Sequence, residues 1–209
     1  MARKLILIVF IACNLGAASA ISATDTPTGA IRFTVNTVLE TMRDSALKQP
    51  DKKDERRDRI RTLIRDRFDF TEMSKRSLAK HWKKRTPDEK KEFVRIFSEL
   101  LESSYIGRIE EYTDEKVVYN KEKIKKKGKY GIVNTTIMAK GVDIPIDYKV
   151  INKNNKWWVY DVVIEGVSFI STYRSQYNKV IIKKSYSQLI KDMTSKLNKM
   201  NSQENAKGF

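Results

Sequence analysis

The sequence predicts an α+β fold with an antiparallel sheet between two blocks of helices. Apolar residues recur at helical spacing as far as about residue 112, and they alternate with polar residues, as in strands, between residues 116 and 164. Helical spacing returns after Gly166. Strands grouped between two blocks of helices are typical of α+β proteins rather than of a parallel sheet with alternating helices.

The first twenty residues have the composition of an export signal. Two basic residues precede the apolar run Leu5–Ile11, and Ala18-Ser19-Ala20 offers small residues at a cleavage site. The run is too short to span a bilayer, which takes about 20 residues. We therefore expect cleavage after about Ala20 and a soluble, periplasmic protein. A short membrane anchor and a lipoprotein modified at Cys13, the only cysteine, are the alternatives.

The charge balance limits the choice of partners. The chain has 209 residues, with 42 Lys and Arg against 26 Asp and Glu, and its net charge is +16. Such an excess favours anionic partners, and export makes nucleic acid the least suitable of these. We expect a linker over residues 21–26, one domain over residues 27–197 and a polar, disordered tail over residues 198–209.

Four helical segments are predicted before the sheet. The first opens at Pro27 and continues to Met42, and Asp51–Phe68 is a second, highly charged helix. Met73–Trp82 is short. Thr86 and Glu89 form the pattern of a capping box, with a proline at the first helical position. The helix that they open, as far as about Tyr112, is the most apolar and keeps helical spacing for about five turns.

The sheet and the final helices follow from the change in period. We predict strands over Lys116–Tyr119, Tyr130–Ala139, Val142–Val150 and Trp157–Ile164, and helices over Val167–Ile182 and from Tyr186 to about Leu197. A basic segment, Lys121–Lys129, separates the first two strands. Pro145 suggests an edge or irregular position. The last strand is apolar on both faces, so we expect it to be covered on both sides.

Few residues could carry catalysis. His81 is the only histidine, which excludes a zinc site built on a histidine pair. Ser168 follows Gly166 but lacks the second glycine of a nucleophile elbow. Acidic residues of the sheet region could form a glycosidase-like pair, but two of them alternate with apolar residues and fit a solvent face: Asp143, Asp147, Asp161 and Glu165. We expect no enzyme, no metal and no cofactor.

The most specific part of the sequence is Trp158–Ile170, followed by Tyr173–Tyr177. It resembles the MlaC (toluene-tolerance) family of periplasmic phospholipid-binding proteins. The segment from Phe68 to Trp82 and the helix from Thr86 to Tyr112 are also similar to that family. The resemblance covers roughly Pro27 to Leu197.

The resemblance implies that helices wrap a twisted antiparallel sheet, with an NTF2-like half and a helical part around an apolar lipid pocket. It implies phospholipid as cargo, carried between an outer-membrane lipoprotein complex and an inner-membrane ABC transporter complex. One branch of the family is associated with hopanoids, which leaves a hopanoid carrier as an alternative. The chain departs from the family in Lys121–Lys129, which puts partner docking in doubt. A basic module that binds anionic membranes without cargo, and a periplasmic lipid-modifying enzyme, are the other hypotheses.

A carrier is also physically reasonable. A phospholipid has about 30 methylenes, and at ~0.8 kcal/mol each its passage through water would cost on the order of 20 kcal/mol. We expect a lipid pocket with two apolar walls, and a turn at Gly166 that brings two further residues close to that pocket. The expected wall residues are Phe93, Phe97, Leu101 and Tyr105 on the long helix, Ile144, Ile146, Tyr148, Val162 and Ile164 on the strands, and Val167 and Ile170 near the turn.

Overall fold

A computed structural model of the chain describes residues 26–111, 115–139 and 141–206. The expected signal over residues 1–20, and the linker as far as residue 25, lie outside these ranges. Within them the chain forms six α-helices and one open, five-stranded antiparallel sheet, so the α+β prediction is confirmed. None of the described helices combines the length and the apolar character needed to cross a bilayer.

The helices flank the sheet in sequence. They are α1 (Pro27–Arg43), α2 (Lys53–Arg65), α3 (Phe70–Leu78) and α4 (Pro87–Glu110) before it, and α5 (Phe169–Lys183) and α6 (Tyr186–Ala206) after it. Short 3-10 helices cover Pro50–Lys52 and Ala79–Lys84. The capping box is present, because the Glu89 N–H donates to Thr86 Oγ1 (3.2 Å) and the Thr86 N–H donates to the Glu89 carboxylate (2.8 Å).

The strands pair in chain order. They are β1 (Lys116–Lys125), β2 (Tyr130–Ala139), β3 (Val142–Lys153), β4 (Lys156–Ile164) and β5 (Val167–Ser168). Half of the segment expected between the first two strands is itself strand, because β1 keeps its ladder with β2 as far as Lys125. Asn154 and Asn155 have positive φ in the β3–β4 turn, and Gly166 (φ 81°) makes the β4–β5 turn.

Pro145 lies in the central strand β3, not in an edge strand. The last residue pair between β3 and β4 joins Ile146 to Ile164, so Pro145 lies just past the end of that ladder. Its carbonyl accepts the Glu165 N–H at 3.0 Å. The side of Pro145 that lacks an N–H therefore faces the β4–β5 turn, where no ladder bond is lost.

An irregularity in β4 changes which side chains share a face. The register with β3 shifts between Val159 and Asp161, so Val162 lies opposite Tyr148 and Val159 opposite Val150. The extra residue of such a bulge reverses the alternation of side chains. Val162 therefore joins Val159 in one apolar cluster of the sheet, and Tyr160 packs on the helical cluster instead.

Two apolar cores hold the domain together. The helical core joins α3, α4, α5 and α6 around Phe93 and Phe97, and the sheet core joins α1 to β2, β3 and β4 around Ile31 and Val133. The tail expected to be disordered from residue 198 is helical as far as Ala206. Met200 packs against the helical core, which extends α6 past the predicted end.

Asp161 fastens α5 to the sheet. Its side chain is buried, and it accepts hydrogen bonds from Lys149 Nζ (2.9 Å), Ser168 Oγ (2.7 Å) and the Ile170 N–H (3.1 Å). Three donors thus satisfy the buried carboxylate. These contacts give Asp161, one of the four acidic residues considered for catalysis, a structural task at the start of α5.

Gly131 is required where α1 crosses β2. A Cβ at this position would lie 2.9 Å from Val150 Cγ2 and 3.1 Å from Pro27 Cγ, whereas a Cβ at Gly107 would meet nothing within 4 Å. We expect Gly131→Ala to lower the free energy of unfolding by about 1–3 kcal/mol through overpacking. Gly107→Ala, within α4, should raise it by about 0.5–1 kcal/mol. Urea unfolding of both variants checks this, and equal effects would contradict the close approach.

Candidate functional site

An apolar cavity of about 410 Å³ lies between one face of the sheet and the helices that cover it. Its walls come from α1, α2, α4 and the start of α5, and from strands β1 to β4. Most of the lining side chains are aliphatic or aromatic. A cavity of this size and chemistry suits an apolar ligand.

The cavity is open at one end and closed at the other. Glu165 and Arg108, which line it near the β4–β5 turn and the end of α4, are exposed. Ile31, Thr34 and Arg67, which line it at the opposite end, are buried. A ligand would therefore enter beside the β4–β5 turn and reach inward towards Arg67.

Seven of the eleven residues proposed from the sequence line this cavity. They are Leu101 and Tyr105 on α4, and Ile144, Ile146, Tyr148, Val162 and Ile164 on β3 and β4. The alternation along β3 was enough to find the strand residues there, because that strand is regular from Val142 to Lys149.

The other four lie outside the cavity. Phe93 and Phe97 are fully buried in the helical core, where their rings stack (5.7 Å between centroids) and Tyr177 meets both rings edge-on. Ile170 is buried in the same core, and Val167 is 60% exposed on β5. The 24 residues of α4 span about 36 Å, so its first half packs on α5 and α6 and only its second half reaches the cavity.

The sequence did not identify two groups of lining residues. One is the inner face of α1, which includes Val35, Val38 and Leu39. Their helical spacing was visible, but spacing alone does not say whether a helix covers a filled core or a cavity. The other is Phe169, which stacks on Tyr105 (4.7 Å). It is the first residue of α5, so it points to the cavity while Ile170 points to the core.

Ion pairs fix α2 against α4 along the side of the cavity. Arg65 donates from Nε and Nη2 to both oxygens of buried Glu102 (2.7 and 2.6 Å). Arg57 and Arg56 both donate to Glu110, at 2.7 and 2.9 Å. Burial alone would raise the pKa of Glu110, but the hydrogen bonds from the two guanidinium groups outweigh it and hold that pKa below its ordinary value.

Arg67 is the charged group at the closed end. It is 7% exposed, and it donates from Nε to Thr34 Oγ1 (3.0 Å) and from Nη1 to the Trp157 carbonyl (2.7 Å). Burial lowers the pKa of Arg67, yet an arginine keeps its proton because its ordinary pKa exceeds about 12. Across the residues whose side chains the structure describes, 26–111, 115–139 and 141–203, no three His, Cys, Asp or Glu side chains are grouped to hold a metal.

Comparison with known proteins identifies the family. The model of the MlaC protein family matches residues 32–195, which include all the residues that line the cavity except Ile31. The chain belongs to the MlaC family.

Two known proteins are similar to this MlaC-family chain, one in sequence and one in fold. The intermembrane phospholipid transport system binding protein MlaC of Haemophilus influenzae is 26% identical over 145 residues, which are 64% of this chain. The match spans 66% of that protein, just under two thirds of its length. A phospholipid-binding protein of Ralstonia solanacearum, solved in complex with a phospholipid, has the same fold, with a TM-score of 0.74 and 24% identity. That similarity covers 83% of this chain and 98% of the other.

The Glu110 ion pairs should support the cavity in a pH-dependent way. We expect Glu110→Gln to lower the free energy of unfolding at pH 7 by about 2 kcal/mol, because two largely buried guanidinium groups lose their counter-charge. Since the folded-state pKa of Glu110 is lowered from 4.5, the stabilisation is present above that pH and is lost as the pH falls through the folded value.

Urea unfolding at several pH values measures the effect. The difference between the unaltered protein and Glu110→Gln should shrink as the pH falls below about 4.5. Glu99→Gln is the matched control, because its ion pair with Arg95 lies on the exposed face of the same helix and should contribute about 0.5 kcal/mol or less. A pH-independent difference for Glu110→Gln would contradict the assignment.

Proposed function

We propose that this chain is a periplasmic carrier that binds the acyl chains of phospholipid in the cavity. The observation that carries the proposal is an apolar cavity, open at one end, in a chain of the MlaC family. The names of the two relatives support it, because one is a phospholipid transport protein and the other was solved with a phospholipid. In this function no bond is made or broken, and the work consists of binding and release.

The energetics of transfer favour such a site. Each methylene that enters the cavity gains about 0.8 kcal/mol relative to water, and the walls supply apolar contacts from both the sheet and α4. The headgroup stays near the open end, where Arg108 and Glu165 carry opposite charges. Because neither sign prevails there, we expect weak selectivity among headgroups.

The proposed route runs between an outer-membrane lipoprotein complex and an inner-membrane ABC transporter complex. Membership of the family, and the intermembrane transport system in the name of the Haemophilus relative, support this route. Phospholipid is the cargo, and no nucleic acid takes part. The surface that contacts each complex includes the open end of the cavity, because the lipid must leave there.

Native mass spectrometry with lipid extraction tests the function directly. The protein is purified from the periplasm of an expressing bacterium, without detergent. We expect one phospholipid per protein chain, identified by its extracted mass. A folded protein that carries no lipid would contradict the proposal and would favour a basic module that binds anionic membranes. A bound hopanoid would change the cargo but keep the carrier.

Filling the cavity should displace the lipid. Val38 faces the cavity from α1, whereas Phe33 on the same helix is 55% exposed. We expect Val38→Trp to weaken phospholipid binding about tenfold, or ~1.4 kcal/mol, because the indole occupies space that an acyl chain needs. Phe33→Trp should bind as the unaltered protein does. The measurement is the amount of lipid per protein chain, on variants with comparable unfolding midpoints. Full loading of Val38→Trp would indicate that the lipid binds elsewhere.

A further inference from the structure

Arg67 differs from the paired arginines beside the cavity, because Asp66, its neighbour in the chain, attracts it electrostatically but forms no ion pair with it. Glu102 is paired with Arg65, and Glu110 with Arg56 and Arg57. Within the described parts of the chain, Arg67 forms no ion pair, and its two acceptors are the neutral Thr34 hydroxyl and the Trp157 carbonyl. Moving an ion out of water costs several kcal/mol, which neutral acceptors recover only in part. The closed end of the cavity therefore favours an anion.

The guanidinium of Arg67 still has donors to offer. Its two hydrogen bonds use Nε and Nη1, and Nη2 makes none to any described residue. Nη2 is also not among the fully enclosed unpaired atoms of the described residues, so part of its surface faces accessible space. The remaining N–H groups of Nη1 and Nη2 lie in the plane of the guanidinium group and point away from it like the two arms of a fork. That geometry suits the two oxygens of a carboxylate.

The shape of the cavity limits what can carry this anion. The charged group of the ligand must lie at the closed end, and the rest of the ligand must lie along the apolar walls. A fatty acid meets both conditions, with its carboxylate at Arg67 and its chain running past Val162 towards Ile144 at the open end.

We propose that the cavity also binds long-chain fatty acids, with the carboxylate held by Arg67 beside Thr34 at the closed end. This rests on the proposed function in so far as the same cavity takes acyl chains. It differs in orientation, because the charged group of the ligand is buried and the end of the chain lies at the opening. The ligand class is thus a single-chain carboxylate, in addition to phospholipid.

The test compares palmitate with hexadecanol, which has the same chain length and no charge. Full-length protein is freed of lipid, and both ligands are titrated by displacement of a fluorescent fatty-acyl probe. We expect palmitate to bind about tenfold more tightly than hexadecanol. Arg67→Met should weaken the binding of palmitate about tenfold more than it changes the binding of hexadecanol, so that the two affinities become similar. Arg67→Lys, which keeps the charge, should restore most of the preference.

Arg59→Met is the matched control, because Arg59 is a cation of α2 with an exposed side chain. It should leave the preference for palmitate intact. Equal affinities of the unaltered protein for palmitate and hexadecanol would overturn the role of Arg67, but the cavity would still be a site for acyl chains. This comparison uses only the unaltered protein, so it does not depend on whether a variant folds. Failure of both ligands and of phospholipid to bind would overturn the proposed function itself. A preference that survives in folded Arg67→Met would place the carboxylate elsewhere.

Discussion

The rest of the structure depends on keeping an apolar cavity open. Empty apolar space is costly, at ~24 cal/mol per Å³, so 410 Å³ costs up to about 10 kcal/mol if it stays dry. That is comparable to the whole stability of an ordinary domain. A protein with such a cavity needs strong packing elsewhere, and it recovers much of the cost when an apolar ligand fills the space.

The helical core supplies that packing. Phe93, Phe97, Tyr173 and Tyr177 form a continuous group of ring contacts between α4 and α5, with centroids 5.4 to 6.1 Å apart. Three of these aromatic residues are buried and Tyr173 is half-buried, and they anchor the half of α4 that does not touch the cavity. The other half of α4 is held against α2 by charged pairs. The same helix thus serves stability at one end and binding at the other.

The lysine-rich turn of the sheet lies at the end opposite to the opening of the cavity. The β1–β2 turn, with Lys126 and Lys127, lies at the same end of the sheet as the β3–β4 turn. The cavity opens at the opposite end, beside the β4–β5 turn. The lysine-rich segment therefore does not line the opening.

The sequence by itself determined the fold class, the order of the elements and the caps and turns, because these depend on local periodicity and on residues such as Thr86 and Gly166. It also identified the regular strand residues of the cavity, such as Ile144 and Tyr148. Only the tertiary structure decided that Phe93 fills a core while Tyr105 lines a cavity, and that Phe169 rather than Ile170 faces it. Only the fold, too, brought Arg67 to the closed end. The physical reason is that an apolar side chain satisfies the same local pattern whether protein or ligand covers it, and long-range packing determines which of the two it meets.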